Sequence, residues 1–384
     1  MTTNTLTGLI PTLYEALDII SRELVGFIPA VSRDSSADRA AKDQTVRSHI
    51  VPAVTTEVIE AGNTPADSGD ATMDYVDLSI SKAKVAPVRW TGEEQMSVSQ
   101  SLQAIQRDRF AQSMRALVNE VEADVGGLYK GACRAYGTAG TAPFGSNLSI
   151  MADVLKILKD NGAPNTDLQC VFDTSAGANL RSLTQLTNVN QAGTDRTLRD
   201  GVLLDMFGFA LRESGGIQTQ DNSTEDDAGT VVVDGAHAKG ATTISLGVTV
   251  AEGTFLAGNF LTIGDYDYMI VTGAVVASDA SGDVVIAEPG LRTVVADTTA
   301  VTQNTTDFAA NMAFQRSALH LVTRTPAMPE GGDKADDVIE IVDPLSGLAF
   351  QVAMYRQYRR VKYEVGLAWG YKLIKPEHAV VLLG

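Results

Sequence analysis

The chain has 384 residues, 44% of them hydrophobic and 20% charged, with 47 Asp and Glu against 30 Lys and Arg and a formal net charge of −17. The length suggests two or three domains, or one domain with large insertions, and the composition is that of a globular protein. The acidity argues against a dedicated nucleic-acid binder, because phosphate contacts need a basic face. No stretch approaches the roughly 18 apolar residues of a membrane-spanning helix, and "MTTNTLTGLIPTLYEALDII" lacks a signal peptide's basic start, so we expect folding in a cytoplasm.

Residues 1–45 are predicted to form an N-terminal arm. Ile10, Leu13, Leu17 and Ile20 recur at helical spacing, which favours an amphipathic helix. The following "VSRDSSADRAAKDQTVR" is polar and rich in small residues, so we expect an extended or loosely helical segment. Such an arm has little to bury on its own and should pack on something else.

Residues 46–90 are predicted to form an extended β-hairpin. "HIVPAVTTEVIEAG" and "DYVDLSISKAKVAPVRW" favour strands, and the turn-rich "NTPADSGDATM" between them predicts the tip. Lys82 and Lys84 lie near the base of this finger, away from its tip. A two-stranded ribbon is barely stable alone in water, so a finger of this length needs a surface such as a neighbouring subunit.

Residues 91–135 carry the strongest helix signal. Thr91 and Glu94 in "TGEE" form a capping-box pattern. Apolar residues then recur at steps of three and four, predicting a helix of about 35 residues, roughly 50 Å long. Gly126 and Gly127 mark its fraying end. We interpret this helix as a spine against which other elements pack.

Residues 136–227 alternate helix and strand signals and predict an α+β region. "NLSIMADVLKILKDNGAP" predicts a helix that Asn147 or Ser149 caps and Gly162 ends, "LQCVFDT" a strand, and "SAGANLRSLTQL" a second helix. Residues 228–304 differ sharply, because six short β-like pieces separated by turns predict an inserted small all-β barrel or sandwich. Across 221–307, thirteen acids face two bases, Lys239 and Arg292.

Residues 305–384 return to the α+β body. "FAANMAFQRSALHLVTRTP" could form helix or strand, whereas "DVIEIVD", "LAFQVAMYR", "RVKYEVGLAW" and "HAVVLL" favour strands. In the third of these strands the side chains from Val361 to Trp369 alternate, which predicts a half-buried strand with Arg360, Lys362 and Glu364 on its other face.

A basic cluster stands out in this acidic chain: Arg356, Arg359, Arg360 and Lys362. Three interpretations stay open, namely ion pairs across a subunit interface, a solvated face, and contact with nucleic acid. We favour the first, because sheet-face cations in an acidic protein pair more often with carboxylates, and we assign Lys82 and Lys84 to the same interface. The next basic residues, Lys372 and Lys375, come a strand later.

Signatures of catalysis and cofactor binding are missing from the sequence. There is no HExxH, CxxC, GxSxG, P-loop or Rossmann fingerprint, and no two of the four histidines have metal-ligand spacing. The "GDYDY" stretch could belong to a carbohydrate-binding surface, although an exposed β-turn explains it better. Cys133 and Cys170 are expected to be reduced, partly buried thiols. We therefore expect no enzymatic activity, no metal and no cofactor.

The order of these parts resembles the major capsid proteins of tailed bacteriophages, which share the HK97 fold, and is most similar to the P22-like coat proteins. The stretches that carry the resemblance are "LSISKAKVAPVRWTGEEQMSVSQ", "DGAHAKGATTISLGVTVAEGTFLAGNFLTIGDYDYMIVTG", "NMAFQRSALHLVTRTPAMPEGG" and "WGYKLIKPEHAVVLL". The resemblance implies an α+β fold with an N-arm, a hairpin called the E-loop, a spine helix in the P-domain, an A-domain and an inserted barrel. Asn259 departs from the insert pattern, which usually has Asp there.

The resemblance also implies a function and partners. The chain would assemble with itself, as hexamers and pentamers, into an icosahedral shell around double-stranded DNA. Scaffolding, portal and decoration proteins would be its partners, DNA contacts would be non-specific, and no membrane would be involved. The protein would belong to the virion and assemble in the bacterial cytoplasm.

Two other functions stay open. An encapsulin-type compartment uses the same fold, but an inserted β domain argues against it. An extracellular β-rich glycan-binding protein is the other, and the missing signal peptide and the spine helix argue against that.

Overall fold

The computed structural model describes residues 24–50, 74–97, 102–187, 206–223, 230–249, 252–329, 331, 334–343 and 347–384. The expected N-terminal amphipathic helix and the tip of the finger lie outside these ranges. The helices within them are α1 Phe27–Ala30, α2 Gly92–Ser97, α3 Leu102–Gly126, α4 Ser149–Asp160, α5 Thr174–Ser182 and α6 Thr184–Thr187.

Strands are the most abundant regular element in the described ranges. The strands are β1 Ser32–Ala40, β2 Thr45–Ile50, β3 Asp74–Ser79, β4 Lys82–Thr91, β5 Arg134–Tyr136, β6 Leu168–Phe172, β7 Phe209–Glu213, β8 Thr219–Gln220, β9 Val231–Val233, β10 Thr243–Val248, β11 Gly253–Phe255, β12 Phe260–Ile263, β13 Tyr266–Thr272, β14 Ala274–Val276, β15 Ala280–Ile286, β16 Ala300–Gln303, β17 Phe308–Gln315, β18 Leu319–Pro326, β19 Asp337–Val342, β20 Ala349–Gln357, β21 Arg360–Leu373 and β22 Ala379–Leu383. Together with the helices they confirm the α+β class. No helix in the described ranges has both the length and the apolar character needed to cross a membrane.

The first sheet supports the spine helix. Its strands run in the order β1-β18-β21-β20-β19, and β4 also pairs with β21. Helix α3 packs on β4 and β21, and the ring of Phe110 meets that of Tyr363 edge to face with centroids 5.5 Å apart. The alternating apolar positions of α3, including Met114, Leu117 and Val121, are buried in this core, as their helical spacing predicts.

The start of the spine confirms the capping box. The Thr91 N–H donates to Oε2 of Glu94 at 2.8 Å, and the Glu94 N–H donates to Oγ1 of Thr91 at 3.2 Å. Residues 98–101, between α2 and α3, lie outside the described ranges, so a single helix of about 35 residues stays a prediction. Helix α3 itself has 25 residues, about 38 Å of rise, and it ends at Gly126 as expected.

The finger is shorter on one side than predicted. Strands β2 and β3 form an antiparallel hairpin, with Thr45 opposite Ser79 and Ile50 opposite Asp74. The prediction of one long strand from 74 to 90 is wrong, because the chain breaks after Ser79 and β4 pairs with β21 instead. The arm is likewise extended, and β1 packs on its own subunit by pairing in parallel with β18.

Strand β21 is buried on both faces over much of its length, whereas alternation predicted one buried face. The second face carries Gly366, Ala368 and Gly370, which leave room for close approach of other backbone. A Cβ at Gly370 would lie 2.1 Å from the carbonyl oxygen of Ser79. This face carries charged residues at the start of β21 and small residues further along. The connection between β3 and β4 covers the part that carries the small residues.

A second sheet forms the centre of the α+β body. Strands β5-β22-β17-β6-β7 are its neighbours in that order, and helix α4 packs on β22 and β5. The segment that allowed either helix or strand forms strands β17 and β18. Helix α4 covers the predicted residues and Gly162 follows it at φ +80°, a left-handed conformation that glycine adopts without steric cost.

The acidic segment forms a closed barrel. Strands β12-β16-β9-β10-β15-β13 pair in that order, and β12 also pairs with β13, which closes the ring. Strands β11 and β14 make a separate ribbon. The barrel has its own apolar core, including Ile244, Leu246, Leu261, Ile270 and Val284. Its β13 strand pairs with β5 at Tyr268 and Arg134, which joins the barrel to the central sheet.

Candidate functional site

The basic cluster lies at the turn between β20 and β21. We call residues 356–360 the cationic tip. Arg359 occupies the left-handed region at φ 56°, so the chain reverses sharply here, and the Gly92 N–H donates to the Arg359 carbonyl at 3.2 Å. Tyr358 is 90% exposed. The turn thus presents one aromatic ring and several guanidinium groups at the end of the first sheet.

Two cations of the basic cluster have carboxylate partners in the same chain. The Arg356 N–H donates to Oδ2 of Asp336 at 2.7 Å, and its guanidinium Nε lies 3.8 Å from the same oxygen. Lys362 pairs with Glu364, two positions along the same strand face, and its ammonium lies 5.7 Å from the centroid of the Tyr355 ring. These contacts give both cations partners within the subunit.

The other two cations are free of ion pairs with the part of the chain that the structure describes. Arg359 and Arg360 are both exposed and adjacent in sequence. They carry two positive charges beside Tyr358 on a chain of net charge −17. Unpaired arginines next to an exposed aromatic ring are the composition enriched at protein interfaces.

A groove of about 940 Å³ runs beside the tip. Its walls come from the turn, from the end of strand β4 at Trp90 and from helix α2, which contributes Met96. Met96 is 82% exposed, whereas Trp90 is buried and its indole N–H lacks an acceptor among the described residues. The Arg109 guanidinium lies 5.2 Å from the Trp90 ring centroid. The surface therefore combines an exposed apolar side chain with cations, and a buried donor without a partner among the described residues lies beneath it.

Lys82 and Lys84 bind the spine helix of their own chain. The Lys82 ammonium lies 2.8 Å from Oδ1 of Asp124 and 3.2 Å from Oε1 of Glu120. Lys84 pairs with the same Glu120 oxygen. The hydrogen bond to Asp124 raises the pKa of Lys82. Because these charges are satisfied within the subunit, they do not by themselves require a neighbour, and their place at an interface stays a prediction.

Sequence reasoning missed several members of this surface. Met96 is an exposed apolar residue, and only its position near a helix start could have suggested its exposure. Tyr358 is close to the cluster in sequence, but the sequence did not indicate that its ring is exposed. Asp336 lies in an acidic loop 20 positions from Arg356, with no local pattern to pair them. Glu364 was detectable, since residues two apart share one strand face.

The departure at Asn259 has a structural reason. Asn259 is fully buried, where the chain enters and leaves the barrel. Its Nδ2 donates to the Asn304 carbonyl at 2.6 Å, and its Oδ1 accepts from Nδ2 of Asn304 at 3.0 Å and of Asn222 at 3.3 Å. An amide donates and accepts at once, which a carboxylate cannot do.

One of the barrel's two bases fastens it to the central body. The Arg292 Nη1 donates to the Asp160 carbonyl at 3.0 Å and to Oδ1 of Asn161 at 3.3 Å, and its Nη2 lies 3.4 Å from the Asp160 carboxylate. A cation at the end of helix α4 also interacts favourably with the helix dipole.

The "GDYDY" stretch does not form an aromatic binding surface. Gly264 and Asp265 form the turn between β12 and β13, as expected. Tyr268 is 1% exposed, and Tyr266 lies under the Arg134 guanidinium, 4.6 Å from the ring centroid. Neither ring is free to stack on a sugar. In the described ranges, no three His, Cys, Asp or Glu side chains are grouped to hold a metal ion.

Comparison with solved structures gives chains of similar extent from phages. A chain from Mycobacterium phage Che8 is 17% identical with a TM-score of 0.48, over 89% of this chain and 85% of that one. A chain from the capsid of cyanophage P-SCSP1u is 13% identical with a TM-score of 0.49, over 94% and 88%. A chain from the mature capsid of bacteriophage PhiM1 is 11% identical with a TM-score of 0.45, over 93% and 86%.

At such low identities and TM-scores, these likenesses carry no conclusion about function. No protein-family model matches the chain, and no curated protein is significantly similar in sequence.

Proposed function

We propose that the chain is the major capsid protein of a tailed bacteriophage, with an HK97-like subunit fold, and that it self-assembles into an icosahedral shell around double-stranded DNA. The observation that carries the proposal is the arrangement of the first sheet. A hairpin, a 25-residue helix and a strand set are combined with a separate central sheet and a closed barrel, and Arg359 and Arg360 at the tip of the strand set have no ion pair within the described residues. These parts support the proposal, because the sequence resemblance implies an E-loop, a spine, a P-domain, an A-domain and an insert.

The cationic tip is proposed as a contact between copies. Arg359 and Arg360 would pair with carboxylates of another subunit, and Tyr358 would anchor the contact by burying its ring. Exposed ion pairs contribute little on their own, roughly 0–1 kcal/mol. Burial of an aromatic ring of about 150–250 Å² supplies the larger part, and the charges set the choice of partner.

The further partners follow from the same proposal. Scaffolding protein would guide assembly of a procapsid, portal protein would occupy one vertex, and decoration proteins could cover the outside. Packaged DNA would touch the shell only through non-specific contacts, because the chain is acidic overall. The mature protein would be located in the virion after assembly in the host cytoplasm.

Expression of the chain and negative-stain microscopy test the proposal. Closed shells or polyheads, alone or with scaffolding protein, support it, and co-purification of an enzyme inside the shells would favour a compartment instead. A monodisperse monomer that never assembles, even with scaffolding protein present, would refute it.

Charge reversal tests the cationic tip. The R359E/R360E variant should fold normally but fail to assemble, because two attractive contacts per interface become repulsive. K239E, which reverses an exposed lysine on the barrel, is the control and should assemble. If R359E/R360E forms normal shells and only DNA retention falls, the cluster contacts nucleic acid and the interface assignment is wrong.

A further inference from the structure

A buried carboxylate joins three separate parts of the subunit. Glu122 lies on the spine helix α3 and is 2% exposed. Its Oε1 accepts from the backbone N–H of Gly26 and Phe27, each at 2.6 Å, and its Oε2 accepts from the Ile28 N–H at 3.0 Å. Oε1 also accepts from Oγ of Ser214 at 2.6 Å.

All four donors belong to other elements. Three come from the segment of residues 24–30, which we call the entry segment, and one from residues 214–216, which we call the strand-end loop because they follow β7. The two are also joined directly, since the Gly215 N–H donates to the Leu24 carbonyl at 3.0 Å. A buried charge is tolerated when hydrogen bonds replace its water shell, and here they come from both segments at once.

Glycines make the close approach feasible. A Cβ at Gly216 would lie 2.7 Å from Cγ of Glu122, and one at Gly126 would lie 2.6 Å from the Gly216 carbonyl oxygen. A Cβ at Gly26 would lie 2.7 Å from the Glu213 carbonyl oxygen. Each of the three parts thus contributes a glycine at the junction, and side chains there would separate them.

The entry segment depends on this junction. Helix α1 has only four residues, too few for a helix that is stable by itself. Phe27 and Ile28 are fully buried, and the Phe27 ring stacks at 6.5 Å on that of Phe314. The buried side chains of Phe27 and Ile28 stabilise the docking of the entry segment on the subunit. The Glu122 carboxylate fixes the position of the backbone turn before β1.

We propose that Glu122 is a latch through which the entry segment and the strand-end loop dock on the spine helix as one unit. Release of either segment leaves the carboxylate short of donors and loosens the other. The latch is a property of the isolated subunit, so it does not rest on the proposed function.

Hydrogen exchange measured by mass spectrometry on the full chain tests the latch. In E122Q an NH₂ group replaces one carboxylate oxygen and faces a backbone N–H, so two donors oppose each other and the negative charge is lost. Residues 26–28 should therefore exchange about 10–100-fold faster. Residues 214–216 should also exchange faster. E120Q, two positions away and facing lysines instead, should leave both segments at wild-type rates. Unchanged rates in E122Q would overturn the latch.

S214A tests the coupling from the other side. It removes one donor on the strand-end loop, and residues 26–28 should exchange roughly 3–10-fold faster although none of them is altered. Wild-type rates there would overturn the coupling. This conservative variant also decides the matter if E122Q does not fold.

G216A gives an independent check, since its added Cβ would press on Glu122. It should accelerate exchange in the entry segment, whereas G127A, whose Cβ would meet no atom within 4 Å, should not. Equal rates in G216A and G127A would contradict the proposed packing at the junction.

Discussion

Asp124 connects the spine helix to the first sheet through two different contacts. Its Oδ2 accepts from the indole N–H of Trp369 at 2.9 Å, and its Oδ1 lies 2.8 Å from the Lys82 ammonium. Trp369 is fully buried, so in D124A its N–H would lose the acceptor that the protein provides. An unsatisfied buried donor costs about 1–3 kcal/mol, and the partly buried ion pair with Lys82 adds about 1 kcal/mol.

We therefore expect D124A to lower the free energy of unfolding by roughly 2–3 kcal/mol. D124N keeps an acceptor for the indole and loses only the ion pair, so it should cost about 1 kcal/mol. Urea unfolding followed by tryptophan fluorescence measures both, because Trp369 is one of only two tryptophans. E120Q, which disturbs lysine pairs alone, is the control. Equal losses in D124A and D124N would refute the assignment of the larger part to the indole hydrogen bond.

The remaining predictions concern buried polar groups. Burial lowers the pKa of His378 and of His320, so the unfolded chain binds protons more readily than the folded chain. The free energy of unfolding should therefore decrease as pH falls through about 6.5. H378L should weaken this pH dependence, and an unchanged slope would contradict the prediction. Burial raises the pKa of both cysteines to about 12, so a thiol reagent should label none in the native chain and two in urea. N259D should lower the free energy of unfolding in urea by about 2 kcal/mol, because a carboxylate cannot replace the amide donor to the Asn304 carbonyl. Wild-type stability of N259D would show that this donor is dispensable.

Local patterns predicted local structure well. The capping box at Thr91 and Glu94, helix α4 with its terminating Gly162, and five of the six predicted β pieces of the barrel depend on residues close together in sequence. Each carries its own signal, because caps, helical periodicity and turns are short-range effects. The sixth piece, residues 293–297, is not a strand, and β16 at Ala300–Gln303 takes its place in the barrel.

Pairing between distant strands was not predictable. The sequence prediction places the residues of β4 in the finger, but β4 pairs with β21, and the choice of partner depends on packing against the spine helix rather than on the sequence of β4 alone. Gly366 and Gly370 allow another backbone segment to approach β21 closely, but the sequence does not indicate which segment does so. For the same reason the sequence did not connect Arg356 with Asp336, or Glu122 with Ser214.

The position of β22 has a consequence for the order of folding. This strand lies between β5 and β17 in the central sheet, and the Cys133 thiol that contacts the Ala379 carbonyl is 246 positions away from it in sequence. The ring of six barrel strands, in contrast, closes entirely between residues 231 and 303. Contacts across long loops form late because loop closure costs entropy. During synthesis the barrel can therefore complete its hydrogen bonds while the sheet around it still has an open slot, which only the arrival of β22 fills.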